Sequence, residues 1–249
     1  MNMLSIFQKK NNNGRSDFSE LKCDMHSHLI PAIDDGSPDV ETSLQLIKGL
    51  HDLGYKKLIT TPHIMWDMYK NTPEIIKPGY EKLKEELKKN NLGVELEVAA
   101  EYFLDDYFEK LVDTDSPLLT FKDNLVLVEF SFVQQPIELK SILFKLQIKG
   151  YQPVIAHPER YLYLGAQKHW YEEMKDTGCL FQLNILSLSG FYGKAPVELA
   201  HYLIKQRYYN LIGTDLHNSR HLELIGASSS YIGIIKKLID SGDILNAQL

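Results

Sequence analysis

Nine residues of this 249-residue chain carry metal-binding side chains and sit at or just beyond the ends of short apolar runs. They are His26 and His28 in CDMHSH, Asp35 in DDG, His63 in TTPH, Glu101 in VAAEY, Glu129 in LVEF, His157 in IAHPER, and Asp215 and His217 in GTDLH. Imidazole and carboxylate donors without thiolate suit Mn, Fe, Zn or Co and do not choose among them. A catalytic zinc-type centre takes about three protein ligands plus water, so nine groups are too many for one ion and point to two or three. His-x-His on an extended segment puts both rings on one side, because side chains alternate along a strand. Alone that pair is more often incidental; Asp-x-His at 215–217 repeats its spacing near the other end of the chain. Glu101 and Glu129 follow the apolar runs VELEVAA and LVLV, where an unpaired carboxylate is costly to desolvate. Taken singly, each is explained equally well by a Lys or Arg partner; taken together, the nine need one shared site.

Two arginines stand beside these groups. Arg160 in HPERY and Arg220 in LHNSRH are candidates for binding an anion, since guanidinium meets phosphate bidentately and stays charged; the simpler role for Arg160 is a salt bridge to Glu159 or another acid. Trp66, Met68 and Tyr69, just after His63, either wall a flat substrate group or pack on one another. The stretch 186–195, LSLSGFYGKA, lacks the spacing of a nucleotide P-loop and reads as a flexible loop. His51, His169 and His201 fall in or beside helical segments without such register, and His221 borders the candidate site only by sequence proximity. Neither cysteine opens the phosphate-loop pattern Cys-x5-Arg, because Leu29 and Ile185 stand six residues after Cys23 and Cys179.

The elements that must position these groups alternate. Runs at 21–26, 57–61, 94–101, 124–130, 152–156, 180–185 and 210–214 read as strands, with helical segments between them. The first helix is expected to open with Ser37 as N-cap and Pro38 at its first position, and to end at Gly54. A second begins at Thr72–Pro73, where Pro78 is expected to interrupt it before the Lys/Glu-rich run to Gly93. Others start at Pro136 and Pro196, and the last is SYIGIIKKLID. Seven strands alternating with helices predict a parallel α/β architecture, and in a parallel barrel the strand ends converge on one face.

Composition sets bounds. The chain is 44% hydrophobic with a net charge of −6 and a pI near 5.9, so one domain is expected, from 21 to 249, with no general affinity for nucleic acid or anionic membrane. Two distant cysteines indicate neither disulfides nor a thiolate metal site and fit a cytoplasmic location. No signal peptide or membrane-spanning run is read. Residues 1–20, rich in Asn and Lys, are expected to be a flexible tail, with Leu4, Ile6 and Phe7 as the alternative of a partner-docking segment.

DMHSHLIPAIDDG, TTPH, AAEY, LVEF, IAHPERY and GTDLH, in this order, resemble the PHP (polymerase and histidinol phosphatase) superfamily, and within it the bacterial manganese-dependent tyrosine-protein phosphatases of the CpsB/CapC/YwqE type, over about residues 21–240. The resemblance implies a distorted (β/α)7 TIM-like barrel with three metal ions. His26, His28, Glu101 and Asp215 would hold one; Glu101, Glu129 and His157 a second; Asp35, His63 and His217 a third; Arg160 and Arg220 would bind phosphoryl oxygens. It further implies Mn2+, hydrolysis by metal-activated water without a phosphoenzyme, and a phosphotyrosine substrate in the tail of a kinase that controls capsule or exopolysaccharide synthesis. Homo-oligomerisation stays open. The rival readings are a histidinol-phosphate or other small phosphomonoester hydrolase on the same barrel, and a metal-stabilised binding protein without turnover; a nuclease is disfavoured by the acidic charge.

Overall fold

The computed structural model describes residues 16–227 and 229–249. All ladders between its strands are parallel, in two sheets. The first joins β1 (Cys23–Asp24), β2 (Lys57–Thr60) and β4 (Glu95–Val98); the second runs β3 (His63–Ile64), β5 (Glu101–Phe103), β6 (Leu125–Glu129), β7 (Gln152–Ala156), β8 (Leu180–Asn184) and β9 (Tyr209–Gly213). β2 and β3 are successive pieces of one strand position, as are β4 and β5. The result is seven positions in a distorted (β/α)7 barrel, with a break across two neighbouring positions. The expected single strand at 94–101 is therefore two. The interruption has a visible cause: Pro62, between β2 and β3, has no N–H to give to a ladder, although its carbonyl still accepts from Glu101 N at 3.1 Å.

Among the described residues, eight α-helices connect and cover the strands. α1 (Val40–Asp52) starts two residues later than expected: Asp39, not Ser37, is the N-cap, its carboxylate accepting from Thr42 N, while Ser37 Oγ donates to Asp39 O. α2 (Pro73–Lys89) runs unbroken through Pro78. Pro78 lies on the exposed side, where the carbonyl left without its N–H donor is open to solvent rather than stranded in the core. α4 (Leu139–Ile148), α6 (Lys194–Lys205) and α8 (Ser229–Asp240) match expected helices, whereas α3 (Asp106–Asp113), α5 (His169–Asp176) and α7 (Ser219–Ala227) are short ones that apolar periodicity did not reveal. No helix among the described residues is long and apolar enough to cross a membrane.

Two apolar layers follow from strand alternation. On β6, Val126 and Val128 face the helices, while Leu125 and Leu127 pack inside the barrel with Cys23, Met25, Ile59, Val154, Ala156 and Leu211. The interior is a solid plug, and the next inward position on β6 is Glu129. Of the tail expected over 1–20, residues 1–15 lie outside the described residues. Residues 16–20 join the body: Phe18 is buried and stacks on Tyr55 at 5.5 Å, and its N–H donates to Leu53 O.

Closure between the first and last strands uses side chains in place of a ladder. Asp24 accepts from Thr214 N (2.8 Å) and Thr214 Oγ1 (2.7 Å). Beyond this pair, Asp215 N donates to His26 O and His28 N to Leu216 O. At the other end, Asn246 Nδ2 donates to Cys23 O (2.9 Å) and Ile212 O (2.7 Å), and its Oδ1 accepts from Ile212 N (2.9 Å). Asn246 is buried, so Asn246→Ala strands three main-chain groups. The expected cost is about 3 kcal/mol, seen in thermal unfolding as a fall in Tm of roughly 6–12 °C; an unchanged Tm would show that the seam closes without it.

Candidate metal centre

The ends of the strands bring all nine predicted residues to one mouth of the barrel. His63 and Glu101 open β3 and β5, Glu129 closes β6, His157 follows β7, and Asp215 follows β9. Glu101 and Glu129 continue the inward register of Ala99 and Leu127. His157 does not: Ala156 already faces inward, so the next side chain should face out. A left-handed backbone at His157 (φ 31°, ψ 56°) turns its ring back to the cluster. Asp215 also has positive φ, 51°. Such conformations cost of order 1–3 kcal/mol in non-glycine residues and cluster at functional sites. Gly213 is required for a different reason: a Cβ there would lie 2.7 Å from His26 Cβ and 2.8 Å from Gln182 Nε2.

Three overlapping groups of donor atoms result. In the first, His26 Nε2 is 3.2 Å from Glu101 Oε2 and 3.3 Å from Asp215 Oδ1, and His28 Nε2 is 3.5 and 3.4 Å from the same oxygens. The two Nε2 atoms are 3.4 Å apart. Tetrahedral ligands at about 2.0–2.2 Å from an ion are separated by about 3.3–3.6 Å, so these four atoms have the spacing of a coordination shell. In the second, His157 Nε2 lies 3.2 Å from Glu101 Oε1 and 3.6 Å from Glu129 Oε2. In the third, Asp35 Oδ1 lies 3.5 Å from His63 Nε2 and 3.4 Å from His217 Nε2. His63 spans the last two groups, since its Nδ1 is 3.2 Å from both Glu101 and Glu129. Both Glu101 oxygens, His63 Nδ1 and His157 Nδ1 are buried without a hydrogen-bond partner. A fully buried carboxylate ringed by four imidazoles and lacking a donor in hydrogen-bonding geometry fits a bridging ligand.

Neighbouring side chains aim the donors. His26 Nδ1 is 2.9 Å from Gln182 Oε1, His28 Nδ1 is 2.9 Å from Asp34 Oδ2, and His217 Nδ1 is 2.9 Å from the Asp215 carbonyl. With each Nδ1 donating, the lone pair sits on Nε2 and faces the cluster, the arrangement that fixes tautomer and ring in metal sites. Asp34 also accepts from His63 N and Gly36 N. Asp215 divides its oxygens: Oδ1 faces the histidines, while Oδ2 accepts from Asn184 Nδ2 and Arg160 Nη1, both at 2.8 Å. Asp34, Gln182 and Asn184 were missed in the sequence. Their signals are the doubled acid in IDDG and the polar residues alternating through the buried strand LFQLN.

Charges within the cluster answer one another. Burial opposes a charge on His26, yet Glu101 and Asp215 raise its pKa to about 9. His28, also opposed by burial, is raised well above its usual value with Asp34 beside it. Burial works against the charges of Glu101 and Asp215, but the surrounding histidines hold both well below the carboxylate range, and Asp34 is lowered to about 2 against the same penalty, chiefly by His28. Protons on the imidazoles here occupy positions that cations would take over.

Above the cluster opens a cleft of about 430 Å3 whose walls include His63, Glu129, His157, Asp215 and His217, with Met65, Met68 and Tyr69 on one side and Phe132, Arg160 and Tyr192 on another. Of the expected aromatic wall, Met68 and Tyr69 are present; Trp66 instead stacks on Tyr107 at 4.0 Å. The Arg160 guanidinium lies between Phe132 (4.5 Å) and Tyr192 (4.2 Å). Its acid partner is Asp215 rather than Glu159, which is buried and accepts from Asn184 N, Ser187 Oγ and Tyr209 Oη. The structure does not bring Arg220 to the cleft: on the first turn of α7 its side chain is 69% exposed and faces Glu223 at 3.6 Å. His221, the next residue, lines the cleft. Neither cysteine does; burial pushes the Cys23 thiol up, and the Cys179 thiol up to about 11. Residues 186–195 form a 3-10 helix (Ile185–Ser189) and a turn that delivers Tyr192 to the rim.

Parallel strands whose ends gather histidines and carboxylates around a buried, donor-free glutamate define a barrel whose mouth carries groups of donors able to hold a metal ion. The family model described as "Capsular polysaccharide synthesis, CpsB/CapC" matches residues 22–229, and the chain belongs to that family. Tyrosine-protein phosphatase YwqE of Bacillus subtilis is 29% identical over 196 residues, covering 78% of this chain and 77% of that protein. Tyrosine-protein phosphatase CpsB of Streptococcus agalactiae is 29% identical over 201 residues, covering 78% and 82%. A solved structure from work on YwqE of Bacillus subtilis and CpsB of Streptococcus pneumoniae, described as unique metal-dependent tyrosine phosphatases, superimposes with a TM-score of 0.76 at 26% identity, covering 87% of each chain.

Proposed function

We propose that this protein is a metal-dependent protein-tyrosine phosphatase, a phosphoric monoester hydrolase that releases phosphate from phosphotyrosine on a protein substrate. The observation that carries this reading is Glu101, buried, with four histidine nitrogens 3.2–3.5 Å from its two oxygens and no donor satisfying either oxygen. The donor set fits three ions, Mn2+ on this reading: one at His26, His28, Glu101 and Asp215, one at Glu101, Glu129 and His157, and one at Asp35, His63 and His217. Such ions lower the pKa of water and neutralise phosphoryl oxygens in an in-line displacement.

The remaining work belongs to the chain. Arg160, flanked on both faces by aromatic rings, presents its guanidinium edge to a phosphoryl oxygen. Asn184 holds Asp215 in place from behind. Gln182 and Asp34 keep His26 and His28 in the donor tautomer. Met68, Tyr69 and Phe132 supply an apolar surround suited to the aryl ring of phosphotyrosine. No side chain near the cluster offers a thiol nucleophile, which leaves no cysteinyl-phosphate route; with the histidines and carboxylates taken up as donors, attack by water is the consistent route. Membership in a capsular polysaccharide family supports the tyrosine-rich tail of a bacterial kinase as the physiological target, reached in the cytoplasm.

The test pairs metal analysis with turnover of a phosphotyrosine peptide and of histidinol phosphate. Chelation is expected to lower peptide turnover by at least ~100-fold, with recovery on adding Mn2+. Turnover that ignores chelation would overturn the mechanism, and preference for histidinol phosphate would overturn the substrate.

A further inference from the structure

The phosphoryl group of a substrate in this cleft needs donors from more than one side, and among the described residues Arg160 is the arginine that lines it. α7 explains why Arg220 does not. Asn218 caps that helix, its Oδ1 accepting from His221 N at 3.0 Å. Successive side chains on a helix are turned by about 100°. With Arg220 directed to solvent and Glu223, His221 is directed into the cleft. Its ring meets Phe191 edge-on at 5.2 Å; Phe191 meets Tyr192 at 4.9 Å; and Tyr192 lies under the Arg160 guanidinium at 4.2 Å. A continuous rim of rings thus has one cation at one end and an imidazole at the other. The imidazole's Nδ1 is buried and has no hydrogen-bond partner, unlike the Nδ1 atoms of His26, His28 and His217; the ring's other polar contact is to the Asp215 main chain, so Nδ1 is the ring nitrogen left for a ligand.

We infer that His221, not Arg220, supplies the second contact to the phosphoryl oxygens, acting with Arg160 from opposite ends of the Phe191–Tyr192 rim. The inference rests on the phosphatase reading for its substrate, but the contact is to phosphate itself and is read separately. A hydrogen bond to a charged oxygen is worth about tenfold in affinity.

The experiment compares His221→Ala, His221→Gln and Arg220→Ala with the metal-loaded wild-type protein, measuring KM and kcat for a phosphotyrosine peptide, inorganic phosphate binding by calorimetry, bound metal and Tm. His221→Ala is expected to raise KM and weaken phosphate binding by about tenfold with metal content and Tm retained; His221→Gln, which keeps a donor, recovers part of the loss; Arg220→Ala stays within about twofold of wild type. The inference is overturned if Arg220→Ala carries the loss, if His221→Ala binds phosphate as wild type does, or if both His221 variants lose metal or stability in proportion to activity. Should the wild-type protein fail to hydrolyse the peptide, the phosphatase reading falls, and the calorimetric comparison still decides whether His221 meets phosphate.

Discussion

Glu101→Gln is expected to lower kcat for a phosphotyrosine peptide on the order of 1,000-fold and to reduce the amount of bound metal, while the far-UV circular dichroism spectrum stays that of the wild type. The size follows from position. Glu101 sends Oε2 to His26, His28 and His63 and Oε1 to His157, so it belongs to two groups of donors at once. Glutamine keeps the volume, which leaves the packing around β5 in place, but it removes a full negative charge and puts an NH2 where one donor oxygen stood. Two ions would each lose an anionic ligand, and a thousandfold change corresponds to about 4 kcal/mol of lost transition-state stabilisation. Metal analysis and single-turnover kinetics on the same preparation separate the effects: metal falling together with rate supports the bridging role, and full metal occupancy with wild-type rate would remove Glu101 from the centre.

Arg160→Ala should behave differently. Its expected effect is a loss on the order of 100-fold in kcat/KM with metal content close to wild type. Arg160 donates to Asp215 Oδ2, but Asn184 Nδ2 donates to the same oxygen at the same 2.8 Å, so the aspartate retains a support when the arginine is removed. What disappears is a partly buried guanidinium held between Phe132 and Tyr192 at the edge of the cleft. Arg160→Lys tests the geometry: it restores a charge without the planar fork or the ring stacking, and recovers only a part of the rate. Wild-type turnover in Arg160→Ala would contradict its role, and a matching loss of metal would make it a support for Asp215 only.

Several features were legible in the chain because they depend on spacing along one segment. His-x-His, Asp-x-His and the acids that close apolar runs mark strand ends, while proline marks the starts of α2, α4 and α6 and glycine the ends of α1, α2 and α4 within a few residues. Arg220 shows where such reading stops. Its neighbours in DLHNSR resemble an anion-binding segment, yet the direction of its side chain depends on where α7 begins, and one residue of helical rotation exchanges it for His221. The division of 94–101 into β4 and β5 was hidden for a related reason: the apolar run is continuous, and the break arises from pairing with β2 on one side of Pro62 and with β3 on the other.

By itself, then, the sequence determined the chemistry at hand: five imidazoles and four carboxylates without a usable thiol, in a chain of alternating strands and helices that sends them to strand ends. Only the tertiary structure decided which donors come within coordinating distance of one another, because those contacts join residues far apart in the chain, such as His26 and Asp215 at 3.3 Å, brought together by the seam at Asp24 and Thr214. It also decided which polar residues stand behind them. Gln182, Asn184 and Asp34 are ordinary residues in a linear reading; they become supports for the centre because burial leaves each of their oxygens and nitrogens needing a partner, and the histidines and Asp215 are the partners within reach.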